Sequence, residues 1–139
     1  MNVRVRYAPS PTGLQHIGGV RTALFNYFFA KASGGKFFLR IEDTDQGRLD
    51  DRAVQDIYDT FAWLGIKLDE GPREGGPFGP YVQSERLTSY QEHAARLISQ
   101  GHAYNCFCSS QDLEQMRAAQ TAAGLPTGYD KRCRSLTAN

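Results

Sequence analysis

Long apolar runs are missing from this sequence. No stretch is long enough to span a bilayer, and the N-terminus lacks the order of a signal peptide. Cysteine is scarce, with three residues, two of them in Cys106-x-Cys108. An odd count in that arrangement does not suit the disulfide framework of a secreted domain. A strong charge of either sign is also absent. Sixteen Lys and Arg against fifteen Asp and Glu leave a formal net charge of +1. Global charge therefore argues neither for nor against a nucleic-acid partner, and a local basic patch would have to supply one. Internal repeats and low-complexity tracts are lacking too. Together these absences read as a reduced, cytoplasmic protein with no membrane partner. The length of 139 residues suits one domain, or a domain plus part of another. A hydrophobic share of 40% and an aromatic share of 12% are enough for a core.

What is present is organised around Arg6-Tyr7-Ala8-Pro9-Ser10-Pro11-Thr12-Gly13-Leu14-Gln15-His16-Ile17-Gly18-Gly19. The alternating Val3 to Tyr7 before it predicts a strand. Ile17, Val20, Leu24, Tyr27 and Phe28 after it are spaced for one face of a helix. In an α/β sheet such a strand–loop–helix junction is where phosphates and carboxylates bind, because the first helical amides point outward unpaired. Pro9 and Pro11 fix the loop and remove two donors. Gly13 permits a tight turn, and Gly18 and Gly19 let a ligand approach the first helical turn. Ser10 and Thr12 offer hydroxyls, and His16 can donate to a phosphate oxygen. On chemistry alone, a proline-rich turn with a capping histidine accounts for the stretch equally well.

The first helix is expected over about 17–32, closed by Gly34 or Gly35 as a left-handed cap. Lys36 to Ile41 predicts a second strand, with Phe37, Leu39 and Ile41 on one face and Phe38, Arg40 and Glu42 on the other. Strand, helix and strand make a right-handed βαβ unit with a parallel pair. Asp43 to Asp51 reads as an acidic loop, with Asp50 or Asp51 capping a helix over about 52–64. The stripe of that helix is Val54, Ile57, Tyr58 and Phe61. Asp69 to Pro80 is loop, and Tyr81 to Gln83 a short third strand. Ser84 is expected to cap a helix with Leu87, Tyr90, Ala94, Leu97 and Ile98 inward. After Gly101, His102 to Cys108 reads as a strand, and Ser109 or Ser110 starts a polar helix to about Ala123. Arg4 fits no motif and reads as surface.

Ala8-Pro9-Ser10-Pro11-Thr12-Gly13 followed by His16-Ile17-Gly18-Gly19 resembles the signature of class I aminoacyl-tRNA synthetases, and more narrowly the glutamyl branch. The general signature is His-Ile-Gly-His, and a small residue such as Gly19 at its fourth position is common in glutamyl enzymes. Glutaminyl enzymes carry Pro-Pro-Glu-Pro-Asn-Gly where this chain has Ala8 to Gly13. Arg40-Ile41-Glu42-Asp43-Thr44-Asp45, Trp63-Leu64-Gly65, Asp69-Glu70-Gly71-Pro72 and Gln83-Ser84-Glu85-Arg86-Leu87 are further matches, collinear along the chain.

The resemblance implies an α/β fold. Residues 1–102 would be the N-terminal half of a Rossmann-type parallel-sheet catalytic domain, and 103–139 the start of an α+β acceptor-binding insertion. It implies ATP-dependent ligation of L-glutamate to tRNA through glutamyl-adenylate, with Mg²⁺ accompanying ATP, by a monomeric full-length enzyme. The rest of the sheet, the second signature loop and the anticodon-binding domains would lie beyond Asn139, so the isolated chain is expected to be inactive.

By the same carry-over, Arg6, Ala8, Ser10 and Glu42 fall at the glutamate site. Pro9, Thr12, His16, Gly18 and Gly19 fall at ATP, with His16 and Gly18 closest to the chemistry. Among Lys31, Lys36, Arg40, Arg48 and Arg52, Arg48 is the one expected to face tRNA. Cys106, Cys108 and Cys133 match the spacing of a structural zinc site found in some family members; Ser135 stands at the histidine position, so Tyr129 or a water would be the fourth ligand. A shortened relative that attaches glutamate to a modified queuosine base, and a non-catalytic tRNA- or protein-binding module, remain alternatives at this point.

Overall fold

The computed structural model describes residues 3–50 and 52–136. They fall into two compact units, divided after Leu87.

In the first unit, β1 (Arg4–Tyr7) and β2 (Lys36–Leu39) form a parallel pair in the register Arg4 to Lys36 through Tyr7 to Leu39. The crossover is α1 (Ile17–Ala32), whose bounds match the expectation. The end of α1 follows from its residues. Gly34 takes φ +59°, the Gly34 amide reaches the Lys31 carbonyl at 3.2 Å, and the Gly35 amide reaches that of Ala30 at 2.7 Å. These are the two bonds of a Schellman cap, which needs a left-handed residue at Gly34.

The buried stripe of α1 differs from the expected one. Val20, Ala23 and Ala30 are buried, and Leu24 and Tyr27 pack partly against the core. Ile17 is 74% exposed and Phe28 62%. Ala23 and Ala30 let the helix backbone lie close to the sheet, so small side chains occupy the contact and the large ones turn outward.

In β2 and its extension the alternation is as expected. Phe37, Leu39 and Ile41 are buried, and Phe38, Arg40 and Glu42 are half-buried. Phe37 sits at the centre of the core, 5.7 Å from the Tyr27 ring and 6.1 Å from that of Phe61. The expected third strand is reduced to one bridge. The Ile41 amide donates to the Tyr81 carbonyl and the Gln83 amide to the Ile41 carbonyl, both at 2.9 Å. A second bridge joins Phe38 to Glu70.

Next comes α2 (Ala53–Trp63), which buries Ala53, Ile57 and Phe61 against the same core. Its N-cap is Arg52, with no side-chain cap bond, and Asp50, expected to cap it, instead accepts from the Arg52 amide at 2.9 Å just ahead of the helix. The alternative cap, Asp51, lies outside the described residues. Ser84 does not cap a helix. Its amide and hydroxyl both donate to the Asp43 carboxylate, at 2.9 and 2.6 Å, and a 3-10 turn over Gln83–Arg86 follows.

The second unit contains α3 (Leu87–Ser99) from Thr88 onward and α4 (Ser110–Ala122). No residue of α3 is buried, so the stripe expected to turn inward is exposed in this unit. His102 to Cys108 contains no strand. Among the described residues it has no neighbouring strand to pair with, and extended backbone without a ladder gains nothing from its periodicity. The polar helix α4 appears as expected, with a reciprocal capping box between Ser109 and Asp112. Gln120 closes the turn after α4 by donating to the Gly128 carbonyl and accepting its amide, both at 2.9 Å.

Candidate functional site

The loop after β1 continues alongside the extension of β2. The Arg40 amide donates to the Tyr7 carbonyl at 3.0 Å, that of Glu42 to Pro9 at 3.0 Å, and that of Asp50 to Pro11 at 2.9 Å. The carbonyls of Tyr7, Pro9 and Pro11 are thus taken by the neighbouring segment. In an extended chain successive side chains alternate, so Arg6, Ala8 and Ser10 share the opposite side. A turn from the Thr12 amide to the Ser10 carbonyl, 2.9 Å, ends the extended run. Arg6, Ser10 and Thr12 are exposed, and Ala8 and Pro9 are half-buried.

Charge distinguishes Arg6 from its neighbours. Arg40 holds Glu42 at 2.6 Å, Arg52 holds Asp50 at 3.0 Å, and Arg48 is paired with Asp45. Lys31 and Lys36 both contact Asp69 at 3.2 Å. Hydrogen bonds from Arg52 hold the Asp50 carboxyl below its ordinary value, and the Asp45 hydrogen bond raises Arg48 further. Arg6 makes no hydrogen bond or ion pair among the described residues, and its exposed fork has the geometry for bidentate capture of a carboxylate. The Glu42 carboxylate belongs to the β2 extension, where the Glu42 amide meets the Pro9 carbonyl, and is already engaged by Arg40.

His16 is the N-cap of α1, with extended φ −92° and ψ 147°. Its Nδ1 accepts from the Gly18 amide at 3.1 Å. With Nδ1 as acceptor, the neutral ring carries its proton on Nε2, the atom free to donate to an incoming anion. Gly18 and Gly19 follow on the first turn. A side chain on Gly19 would lie 2.6 Å from the Tyr7 hydroxyl, so any larger residue there displaces that hydroxyl or the helix start.

Three residues outside the signature reading brace this loop. The Tyr7 hydroxyl donates to Gln15 Oε1 at 2.7 Å, and the Gln15 amide donates to Asp56 Oδ2 at 2.6 Å. Tyr7 is buried against Phe61, with ring centroids 5.8 Å apart, and burial holds its phenol above the ordinary value. In sequence Asp56 is one polar position on an amphipathic helix, with no local signal of its partner.

A separate cluster lies in the second unit. The sulfurs of Cys106, Cys108 and Cys133 are within 4.8 Å of one another. The Tyr129 hydroxyl is 3.2 Å from the Cys106 sulfur and accepts from the Cys133 amide at 3.2 Å. Hydrogen bonds from Tyr129 and the Phe107 backbone bring the Cys133 thiol down to about 7, and burial pushes Cys108 up to about 11. The four residues separated by sequence thus converge on one point.

A parallel βαβ unit with a polar loop at the strand ends and a capped helix start defines an α/β nucleotide-binding fold of the Rossmann type. The family described as tRNA synthetases class I (E and Q), catalytic domain, matches residues 2–139, and the chain belongs to it. A glutamate–tRNA ligase from Borreliella burgdorferi is 59% identical over 137 residues, covering 99% of this chain and 28% of that protein. One from Treponema denticola is 57% identical, with 99% and 27% covered. Among solved structures, a glutamate tRNA ligase from Elizabethkingia meningosepticum in complex with its amino acid superposes with TM-score 0.86 at 45% identity. That match covers 95% of this chain and 27% of the other. The chain therefore spans just over a quarter of the length of these relatives. Among the described residues no helix is long and apolar enough to cross a membrane.

Proposed function

We propose that this chain supplies part of the catalytic domain of a glutamate–tRNA ligase. Residues 1–102 would form the first half of the nucleotide-binding fold, and 103–139 the start of an acceptor-binding insertion. The carrying observation is the uncommitted Arg6 guanidinium, on the same side of an extended segment as Ala8 and Ser10 and at the head of the loop that presents His16.

Arg6 binds the side-chain carboxylate of glutamate, and Ala8 leaves room beside it. Ser10 and Glu42 address the α-amino end, Glu42 exchanging part of its pairing with Arg40 for the ammonium. The α-carboxylate oxygen of glutamate attacks the α-phosphorus of ATP. The bond to the bridging oxygen breaks, pyrophosphate leaves, and glutamyl-adenylate remains. His16 Nε2–H and the exposed Thr12 hydroxyl donate to phosphate oxygens as charge moves onto them, while Pro9, Gly18 and Gly19 line the space beside them with little or no side chain. A ribose hydroxyl at the tRNA 3′ end then attacks the acyl carbon and AMP departs. Mg²⁺ bound with ATP neutralises phosphate charge. Arg48 would meet tRNA only by exchanging Asp45 for a phosphate.

The cysteine cluster fits zinc. About 2.3 Å per zinc–sulfur bond puts tetrahedral sulfurs roughly 3.8 Å apart, so only a small contraction is required. Cys106, Cys108 and Cys133 would hold the ion and Tyr129 complete the set. The ion would tie the segment after α4 to Cys106 without entering the reaction.

Glutamate-dependent exchange between ATP and pyrophosphate, followed by tRNA charging, tests this reading in a full-length protein carrying the segment. Exchange with glutamate and not with glutamine is the expected result. Exchange that is independent of the amino acid would overturn it, and charging of a queuosine-type base instead of a 3′ end would redirect the second step.

A further inference from the structure

We propose that Asp56 is a positioning residue for His16, acting through Gln15 with Tyr7 as the second arm of a clamp. The role rests on reading the His16 loop as the ATP site of an adenylate-forming enzyme.

Gln15 immediately precedes the cap of α1. Its amide meets a carboxylate oxygen of α2 at 2.6 Å, and its side-chain carbonyl oxygen meets a hydroxyl of β1 at 2.7 Å. One residue is therefore fixed from two different elements, at both its backbone and its side chain. The bond to Asp56 is charge-assisted and short. The bond from Tyr7 comes from a ring locked in the core against Phe61. Gly19, one turn later, lies against the same hydroxyl with no room for a side chain.

The loop between Thr12 and Gln15 has no regular structure, so these bonds set the position of the chain entering α1 ahead of its first buried residue, Val20, and without them the first turn can shift. His16 would shift with it, because its Nδ1 is bonded to Gly18 of the same turn. A shift of about 1 Å in a group that stabilises a transition state costs up to roughly a hundredfold in rate. Glutamate would not feel the shift, because Arg6, Ala8 and Ser10 are held by the Tyr7, Pro9 and Pro11 carbonyl bonds upstream.

The test compares Asp56→Ala, Asp56→Asn and Tyr7→Phe in the full-length protein by glutamate-dependent ATP–pyrophosphate exchange. Asp56→Ala is expected to lower kcat about 10- to 100-fold with the glutamate KM within about twofold. Asp56→Asn retains an acceptor oxygen and should recover most of the loss. Unchanged kcat in Asp56→Ala, or an equal loss in Asp56→Asn, would overturn the role. Should Asp56→Ala fail to fold, Tyr7→Phe keeps the ring against Phe61 and removes only the hydroxyl. A kcat-specific loss is expected there too, and none would overturn the clamp. Hydrogen exchange at the Gln15 amide separates this inference from the functional one. Slow exchange in the wild type and fast exchange in the Asp56 or Tyr7 variants supports the clamp whatever the reaction. A well-clamped wild type without pyrophosphate exchange overturns the enzyme reading instead.

Discussion

Arg4 and Glu70, sixty-six positions apart, meet through two parallel hydrogen bonds of 2.5 and 2.7 Å. Glu70 is 5% exposed and also accepts from the Tyr81 hydroxyl. The Arg4 guanidinium lies 4.1 Å from the centre of the Phe78 ring and 5.3 Å from that of Phe38. The pair ties the loop over 70–82 to the start of β1.

Hydrogen bonds from Arg4 hold the Glu70 carboxyl below its ordinary value of 4.5, against the opposing effect of burial. The unfolded chain then binds more protons than the folded one in mildly acid solution. The pair's contribution is complete above about pH 4.5 and falls as pH drops through the folded value. Glu70→Gln should destabilise by about 1–3 kcal/mol at neutral pH. Its deficit relative to the wild type should shrink below pH 4.5. Denaturant unfolding at a series of pH values measures both, and a deficit independent of pH would contradict the pairing.

His16→Ala and Arg6→Ala should separate two roles in the full-length enzyme. Removing a donor that acts as charge moves onto phosphate lowers kcat for adenylate formation, typically by about 10²- to 10³-fold. Removing the carboxylate fork raises the glutamate KM instead. Steady-state exchange kinetics distinguish the two, and the same pattern in both variants would refute the assignment.

Gly19→Ala places a methyl group 2.6 Å from the Tyr7 hydroxyl. Overpacking of this kind costs about 1–3 kcal/mol. Tyr7→Phe removes the obstructing atom, so the added cost of Gly19→Ala should be smaller in that background. A double-mutant cycle on thermal unfolding reads the coupling. Strict additivity would mean the clash is relieved elsewhere.

Protein purified without chelator should carry about one zinc per chain by elemental analysis, given three thiolates and a phenol in reach of one ion. Cys106→Ser should lower that stoichiometry, and chelation should expose the segment after α4 to protease. Substoichiometric zinc unaltered by Cys106→Ser would reject the site.

Most of the first unit was legible because its signals are local. The bounds of α1, its Gly34 cap and the alternation of Phe37 to Glu42 each follow from a few neighbouring residues. Arg4 was not legible. It reads as a surface residue until the path of the 70–82 loop brings Glu70 to it. The Asp56–Gln15 bond was hidden for the same reason, since both residues are ordinary polar positions until α2 folds back on the loop. The buried stripe of α1 is not the one its large apolar residues suggest, because these outrank alanine by hydropathy while close helix–sheet contact selects the smaller side chain. The strand expected before Cys108 failed because alternation describes a strand only where a neighbour completes its ladder. The cysteine spacing needed the resemblance to be read as a site, and the fold brings those residues together.

The pairing of basic with acidic side chains at Lys31, Lys36, Arg40, Arg48 and Arg52 sets how this segment would respond to salt. Opposite charges a few ångströms apart project a field that decays faster than that of a lone charge. A nucleic acid approaching such a surface has few of its condensed cations displaced, and each ion pair must be opened before its base can serve a phosphate. Binding through these five residues would therefore vary only shallowly with ionic strength, with a log–log slope well below one per residue. Steeper long-range attraction would have to come from basic side chains other than these five.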